Sequence, residues 1–222
     1  MKQTFPILPV LLALLMTLVA LPSFAQDTPR AELFAGYSAL ITRSEKAELD
    51  DGISTLKVKR ETAYVNGWNA SIAVNANSWL GFVGDFSGHY GPVDYQGTYS
   101  GNKIILGSQT RVHHYLGGPQ FSVRGESARF FVRALIGGVT VNESFSHPDL
   151  NFNESYTVNG LAAGAGIGFD IRISDRLAWR AIQADYLWYR FGQPKLIING
   201  TEITNSATQN NFRISSGLVF SN

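Results

Sequence analysis

Hydrophobic and polar positions alternate with a period of two along most of the chain after residue 25. The stretch GLAAGAGIGFDIRIS, residues 160–174, shows the pattern clearly. Leucine, alanine, isoleucine and phenylalanine occupy one row, whereas glycine, alanine, Asp170 and Arg172 occupy the other. Such alternation is typical of a β-strand with one apolar face. We therefore expect a strand here.

The same stretch has Gly160, Gly164 and Gly168 four residues apart, which is also the spacing of small residues in packed transmembrane helices. A helix would place Asp170 and Arg172 within the apolar run, and the run is shorter than the roughly 20 residues that a membrane-spanning helix needs. A tilted transmembrane strand needs only about 9 to 11 residues. Length and period both favour the strand.

The alternating pattern recurs in eight segments, each of which predicts a strand. These segments are Ala31 to Ile41, Tyr64 to Asn75, Trp79 to Tyr90, Thr110 to Val123, Arg129 to Thr140, Thr157 to Ile173, Leu177 to Phe191 and Asn210 to Ser221.

Long and short connections alternate between the segments. The short connections are ANS, RGESA and SDR, and the four others are long and polar. Outer-membrane barrels have this plan, with short periplasmic turns, long external loops and an even number of strands. The sequence therefore predicts an all-β fold, an eight-stranded antiparallel up-and-down transmembrane β-barrel with both termini in the periplasm.

The alternation also assigns the two faces of the strands. In WNASIAVN every second residue from Trp68 to Val74 faces outward, and the residues between them, beginning with Asn69, face inward. A lipid-facing exterior with a polar lumen is the reverse of a soluble lipocalin barrel. Four tryptophans are expected to form aromatic girdles at the two membrane interfaces, with Trp79 and Trp179 beside the short turns and Trp68 and Trp188 toward the long loops.

The first 25 residues have the features of a signal peptide: Lys2, an apolar block and a cleavage site with Ser23 and Ala25 at the −3 and −1 positions. An uncleaved membrane anchor is the alternative. We expect residues 1–25 to be removed and residues 26–222 to form the barrel domain. Without Lys2 the mature chain has 17 basic and 17 acidic residues, which gives no sign of nucleic-acid binding. Because cysteine is absent, no disulfide stabilises the fold.

The lumen of an eight-stranded barrel is just wide enough for side chains to fill it. Because Gly164, Gly166 and Gly168 are small, they are expected to leave room for long polar side chains in the lumen. Charges buried there must be paired and hydrogen-bonded. We predict that a paired polar network closes the lumen, although a selective pore remains an alternative. The network residues are Asp85, His89, His114, Arg133, Asp170, Arg172, Gln183, Asp185 and Arg213.

The seventh segment, LAWRAIQADYLWYRF, resists a simple assignment. Gln183 and Asp185 share one face and Arg180 falls on the other. A β-bulge near Ala181 and Ile182 would turn all three side chains into the lumen. Without a bulge, Arg180 would point toward the headgroups at the periplasmic rim.

Four motifs, NGWNASIAVNANSWLGFVGDFSGHY, YLGGPQFSVR, RAIQADYLWYRFG and QNNFRISSGLVF, resemble the small outer-membrane β-barrel family related to the OmpA transmembrane domain and to OmpX. The resemblance covers the chain from Ala31 to Phe220 and implies a barrel assembled in a Gram-negative-type outer membrane. No peptidoglycan-binding domain follows the barrel, so we do not expect an anchoring role. In this family an aromatic residue at the end of the barrel is typical of the assembly signal, whereas here the aromatic residue Phe220 is followed by Ser221 and Asn222.

These features predict a structural or surface-interaction role at the cell outer membrane. The expected partners are outer-membrane lipids, lipopolysaccharide and the assembly machinery, and we expect a monomer that needs no cofactor or metal. The main alternative is an enzyme that modifies lipid A, since Asp85, Ser87 and His89 share one strand face as a catalytic triad could. His113 and His114 are adjacent on a strand and point to opposite faces, so they cannot chelate one metal together.

Overall fold

The computed structural model describes residues 28–43, 45–50, 55–60, 62–99, 102–147, 152–192, 196–198, 201–203 and 207–222. The predicted signal peptide, residues 1–25, and its cleavage site lie outside these residues. Among the residues that the structure describes, no helix is long and apolar enough to cross a membrane.

Strands account for nearly all of the described chain. They are β1 (Ala31–Thr42), β2 (Glu45–Asp50), β3 (Thr55–Arg60), β4 (Ala63–Asn75), β5 (Leu80–Tyr99), β6 (Asn102–Arg124), β7 (Ala128–His147), β8 (Phe152–Ser174), β9 (Leu177–Phe191), β10 (Leu196–Ile198), β11 (Thr201–Ile203) and β12 (Ala207–Ser221).

Eight of these strands form a closed ring in the order β1-β4-β5-β6-β7-β8-β9-β12. Every neighbouring pair is antiparallel, and β1 pairs with both β4 and β12 to close the ring. A closed ladder leaves no unpaired barrel edge, which a lipid environment requires. The prediction of an eight-stranded antiparallel up-and-down barrel is confirmed.

Several strands extend beyond their predicted ends on the side of the long connections, which we call the long-loop end. The β5–β6 ladder continues to the pair Tyr99 and Asn102, through a segment expected to be a loop. β3 pairs with β5 beside this extension, and β2 pairs with β3. The prediction of loops at these positions is wrong. Residues such as Val93 and Tyr95 favour strands, and their pairing extends the ladder that begins in the barrel.

The two faces of the strands follow the predicted alternation. On β4, Trp68 and Ile72 are exposed on the exterior, whereas Asn69 and Ser71 are buried. On β12, Phe212, Ile214, Leu218 and Phe220 are exposed, whereas Asn211, Arg213 and Ser215 are buried. A continuous exterior of large apolar side chains is what a lipid-facing surface requires.

The four tryptophans lie at two levels of the exterior. Trp79 and Trp179 flank the short turns before β5 and β9, while Trp68 and Trp188 lie farther along their strands toward the long-loop end. Trp68, Trp79 and Trp179 are exposed, and Trp188 is half-buried. Their expected positions at the two membrane interfaces stay a prediction.

A β-bulge interrupts β9 at the predicted place. Ser215 pairs with Gln183 and Gly217 with Arg180, so Ala181 and Ile182 stand opposite Ser216 alone. The extra residue turns the Arg180 side chain into the lumen, where it is buried. The bulge prediction is confirmed, and the alternative that Arg180 points toward headgroups is wrong.

The lumen is not polar along its whole length. Leu40, Val65, Val112, Val139 and Leu187 are buried together inside the barrel. They follow the polar inward residues toward the long-loop end, because the inward rows of β1, β4, β6, β7 and β9 become apolar there. The expectation of a polar lumen is therefore wrong for this layer. Apolar side chains there remove hydrocarbon surface from water and still fill the narrow barrel.

Candidate functional site

The centre of the lumen holds two aspartates and two arginines from four different strands. Asp85 comes from β5, Arg133 from β7, Asp185 from β9 and Arg213 from β12. All four side chains have an exposed fraction of 0%. We call these four residues the central layer. Two positive and two negative groups balance, as buried charges require.

Asp185 receives hydrogen bonds from both arginines. Arg133 donates through Nε to Asp185 Oδ1 and through Nη2 to Asp185 Oδ2, each at 2.9 Å. Arg213 donates through Nε to Asp185 Oδ2 at 3.0 Å. The two-pronged contact with Arg133 is the strong, directional form of an arginine–carboxylate pair. Asp185 is therefore the best-connected acceptor of the central layer.

Asp85 completes the layer mainly through charge. Its Oδ1 lies 2.7 Å from Arg213 Nη1 and its Oδ2 lies 3.1 Å from Arg133 Nη1. The geometry of the shorter contact is outside the range of a hydrogen bond, and Arg213 Nη1 donates to Ser87 Oγ at 2.8 Å instead. The amide of Asn69 supplies a hydrogen bond to Asp85 Oδ2 at 3.0 Å.

Gln183 connects the central layer to its surroundings. Its Nε2 donates to Asn69 Oδ1 at 3.0 Å and to Asp185 Oδ2 at 3.1 Å, and its Oε1 accepts from Arg180 Nη1 at 2.6 Å. An amide serves this position because it can donate and accept at once. The central layer is thereby joined to a second group of charges.

The second group lies toward the short turns, at what we call the short-turn end. Glu32 and Asp170 accept from Arg124, Arg129 and Arg180. Arg124 Nη1 lies 2.7 Å from Glu32 Oε1, Arg180 Nε lies 2.8 Å from Asp170 Oδ1, and Arg129 contacts both carboxylates. We call these five residues the short-turn layer.

Two aromatic rings flank the guanidinium group of Arg180. The Arg180 guanidinium carbon lies 4.3 Å from the ring centre of Phe34 and 4.5 Å from that of Phe131. Both rings are buried. Cation–π attraction at such distances stabilises a desolvated arginine, so Arg180 is held by Asp170, Gln183 and two ring faces together.

Two buried histidines lie on the other side of the central layer. His89 Nε2 and Ser38 Oγ are 2.9 Å apart, and His114 Nδ1 and Ser87 Oγ are also 2.9 Å apart. The other ring nitrogen of His114 contacts the Tyr189 hydroxyl. These histidines complete hydrogen bonds with hydroxyl groups deep in the barrel.

The candidate triad of the enzyme hypothesis is not assembled. Ser87 contacts His114 and Arg213 rather than His89, and Asp85 faces the arginines. Ser87 is 1% exposed, so no substrate reaches its hydroxyl in this structure. Among the described residues there is also no group of three His, Cys, Asp or Glu side chains that could hold a metal ion.

The structure brings eight of the nine predicted network residues into the buried lumen. These are Asp85, His89, His114, Arg133, Asp170, Gln183, Asp185 and Arg213. Arg172 is the exception: it is exposed and lines the mouth of the barrel at the short-turn end. Its inclusion in the network is wrong, because β8 reaches the water at this position. Sequence reasoning missed Glu32, Arg124 and Arg129, although Glu32 and Arg129 lie on inward rows.

The glycines of β8 leave room for neighbouring side chains. A Cβ atom at Gly166 would lie 2.0 Å from Asp185 Oδ1, and one at Gly168 would lie 2.2 Å from Phe131 Cζ. At Gly164 it would lie 2.7 Å from a methyl group of Leu187. The space is filled as expected, although by neighbours on β7 and β9 rather than by long charged side chains across the barrel.

No protein-family model matches the chain, and no curated protein matches it. Among solved structures, it is similar to Ail, the attachment invasion locus protein of Yersinia pestis, at 16% sequence identity and a TM-score of 0.50, covering 86% of this chain and 99% of that chain. It is also similar to the outer membrane protein OprG of Pseudomonas aeruginosa, at 11% identity and a TM-score of 0.50, covering 88% of this chain and 97% of that chain. The chain therefore has the fold of the small outer-membrane β-barrels.

Proposed function

We propose that this protein is a closed outer-membrane barrel with a structural or surface-interaction role, and that it is not an enzyme. The barrel supports the strand extensions at the long-loop end, and its apolar exterior contacts lipid. The observation that carries this proposal is the filled lumen.

The lumen is closed because side chains from opposite walls meet in its middle. Arg133 on β7 and Arg213 on β12 both contact Asp85 on β5 and Asp185 on β9. The apolar layer around Leu40 then follows toward the long-loop end. An ion crossing the barrel would have to separate buried ion pairs and enter an apolar layer, and both steps are costly.

The long-loop end supports the interaction role. β5 and β6 are 20 and 23 residues long, more than the roughly 9 to 11 residues that a strand needs to cross a membrane. β3 adds to β5 in this extension. In an outer-membrane barrel these elements would project outside the cell. One structural neighbour is named an attachment protein, and this name guides only the choice of assay.

The first experiment tests closure in planar lipid bilayers. We expect the folded wild-type protein to produce no stepwise conductance. The double variant Asp85→Ala, Arg213→Ala, which removes one carboxylate and one guanidinium together, keeps the central layer neutral and shortens two side chains that meet in the lumen. Stepwise conductance of the wild-type protein would contradict the closed lumen and would favour a pore. Conductance of the double variant but not of the wild-type protein would support the closed lumen.

The second experiment tests the role itself. Cells that display the protein are compared with cells that display a variant lacking residues 45–60, the region of β2 and β3, for attachment to cultured cells and to immobilised serum proteins. Glu126→Gln, a change on a short turn, serves as the control. We expect attachment to fall with the deletion and to persist with the control. A mass change of lipid A that depends on Ser87 or His89 would instead support the enzyme.

A further inference from the structure

A cavity of about 700 Å³ opens at the short-turn end of the lumen. Glu32, Arg124, Arg129, Asp170 and Arg172 contribute to its lining. The short turns of outer-membrane barrels face the periplasm. The cavity is therefore open to periplasmic solutes and lies outside the closed part of the lumen.

The buried charges beside this cavity do not balance. In the short-turn layer, three guanidinium groups share two carboxylates, which leaves one positive charge in excess, although Arg180 lies behind Asp170 and does not itself line the cavity. The central layer has two of each sign. Glu126 and Asp175 also line the cavity, but both are exposed turn residues. Water screens their charges more strongly than it screens the buried groups.

Arg124 has an unused hydrogen-bond donor. Its Nη1 lies 2.7 Å from Glu32 Oε1 and its Nε donates to the Ser78 carbonyl oxygen at 3.3 Å. Its Nη2 is buried and has no hydrogen-bond partner among the residues that the structure describes. A buried donor without a partner is unfavourable, so an acceptor in the cavity would be favoured if the guanidinium turned this nitrogen toward it.

Arg172 provides a second cation at the same place. It lines the same cavity as Arg124, so the two like charges repel each other across it. No ion pair holds Arg172 among the described residues, although the neighbouring arginines have carboxylate partners. An anion between Arg124 and Arg172 would replace this repulsion with two attractions. Guanidinium groups match the geometry of phosphate and carboxylate oxygens.

We propose that Arg124 and Arg172 bind an oxyanion, the phosphate or carboxylate group of a periplasmic solute, in the cavity at the short-turn end. Arg124 turns its Nη2 donor from the wall toward the anion, and Arg172 approaches from the rim. The Glu32 carboxylate orients Arg124 through Nη1. The site is independent of the surface role proposed above, because it lies at the opposite end of the barrel.

The test uses the folded full-length mature protein in detergent micelles. It is titrated with inorganic phosphate at constant ionic strength, and the heat of binding is measured by calorimetry. A parallel titration with acetate distinguishes a carboxylate ligand from a phosphate ligand. We expect saturable binding of at least one anion with one site per chain. Arg172→Gln should weaken it by about tenfold or more, because a charged hydrogen bond is lost.

Arg176→Gln is the matched control, since Arg176 is an exposed arginine on the short turn that follows β8 and is not among the lining residues of the cavity. It should bind the anion as the wild-type protein does, whereas Glu126→Gln should bind more tightly because it removes a nearby negative charge. Arg172 is exposed, so its replacement should leave the fold intact, and heat-modified gel mobility checks this. Absence of saturable binding, or equal binding by wild-type and Arg172→Gln proteins, would overturn the proposal.

Discussion

The substitution Asp185→Asn removes one of the two negative charges of the central layer with little change in shape. In the wild-type protein the Asp185 carboxylate accepts from Arg133 and Arg213 at 2.9 to 3.0 Å. After the change, Asp85 alone faces both guanidinium groups, and one positive charge remains uncompensated in the buried interior of the barrel. The amide also turns donor atoms toward arginines that can only donate.

We expect this variant to lose about 3–5 kcal/mol of unfolding free energy, the usual cost of breaking a buried ion pair by removing one partner. The four side chains have an exposed fraction of 0%, so solvent screening does not reduce this figure as it would for a surface pair. The measurement is urea unfolding in lipid vesicles, followed by tryptophan emission and by heat-modified gel mobility.

Two comparisons make the result interpretable. Asp94→Asn removes a carboxylate that is exposed on β5, and it should change stability by no more than about 0.5 kcal/mol. The double variant Asp185→Asn, Arg213→Gln restores equal numbers of charges, and we expect a favourable coupling of about 1–3 kcal/mol between the two changes. If Asp185→Asn unfolds at the same urea concentration as Asp94→Asn, the central layer does not stabilise the barrel and the reasoning is refuted.

Two further predictions concern the wall of the barrel. Gly168→Ala should destabilise the protein by about 1–3 kcal/mol, because its new Cβ would lie 2.2 Å from the Phe131 ring. Gly192→Ala should leave stability unchanged, because a Cβ there meets nothing within 4 Å. Equal urea midpoints for the two variants would contradict this packing. Single-tryptophan proteins retaining Trp68 or Trp79 should be quenched more by bromine atoms near the lipid headgroups than by bromine atoms at the bilayer centre, and strongest quenching at the centre would contradict the girdle assignment.

The sequence carried enough information to predict the barrel and its two faces. A period of two reports directly which side chains share a face, and each strand of the ring contains at least one clear alternating run. Even the bulge could be predicted, because Arg180, Gln183 and Asp185 could share the lumen only if one residue were added between them. The eight-strand ring followed from the alternation of short and long connections.

The partners within the lumen could not be predicted in the same way. Which inward residues meet depends on the stagger of the strands around the ring, and alternation along one strand does not specify that stagger. Glu32 and Arg129 illustrate the limit, because 97 residues separate them in sequence. The outcome for Arg172 has a related cause: its inward row is correct, but the height at which the lumen meets water depends on the whole barrel.

The strand extensions escaped prediction for a different reason. A lipid-facing strand is marked by apolar residues on its outer face, and that signal ends where the strand leaves the membrane. Pairing can continue beyond this point, as it does between β5 and β6 as far as the pair Tyr99 and Asn102. The polar composition of these segments therefore did not mark the end of the ladder.

The glycine row of β8 and the charged central layer depend on each other. Gly166 lies directly opposite Asp185 in the β8–β9 ladder and opposite Arg133 in the β7–β8 ladder. Because Gly166 has no Cβ, the Asp185 carboxylate can occupy the position 2.0 Å from where that atom would be, and there it receives both arginines. A larger residue at this position would displace the carboxylate that pairs with both arginines. The small row of β8 thus permits the charge pairing that fills the barrel.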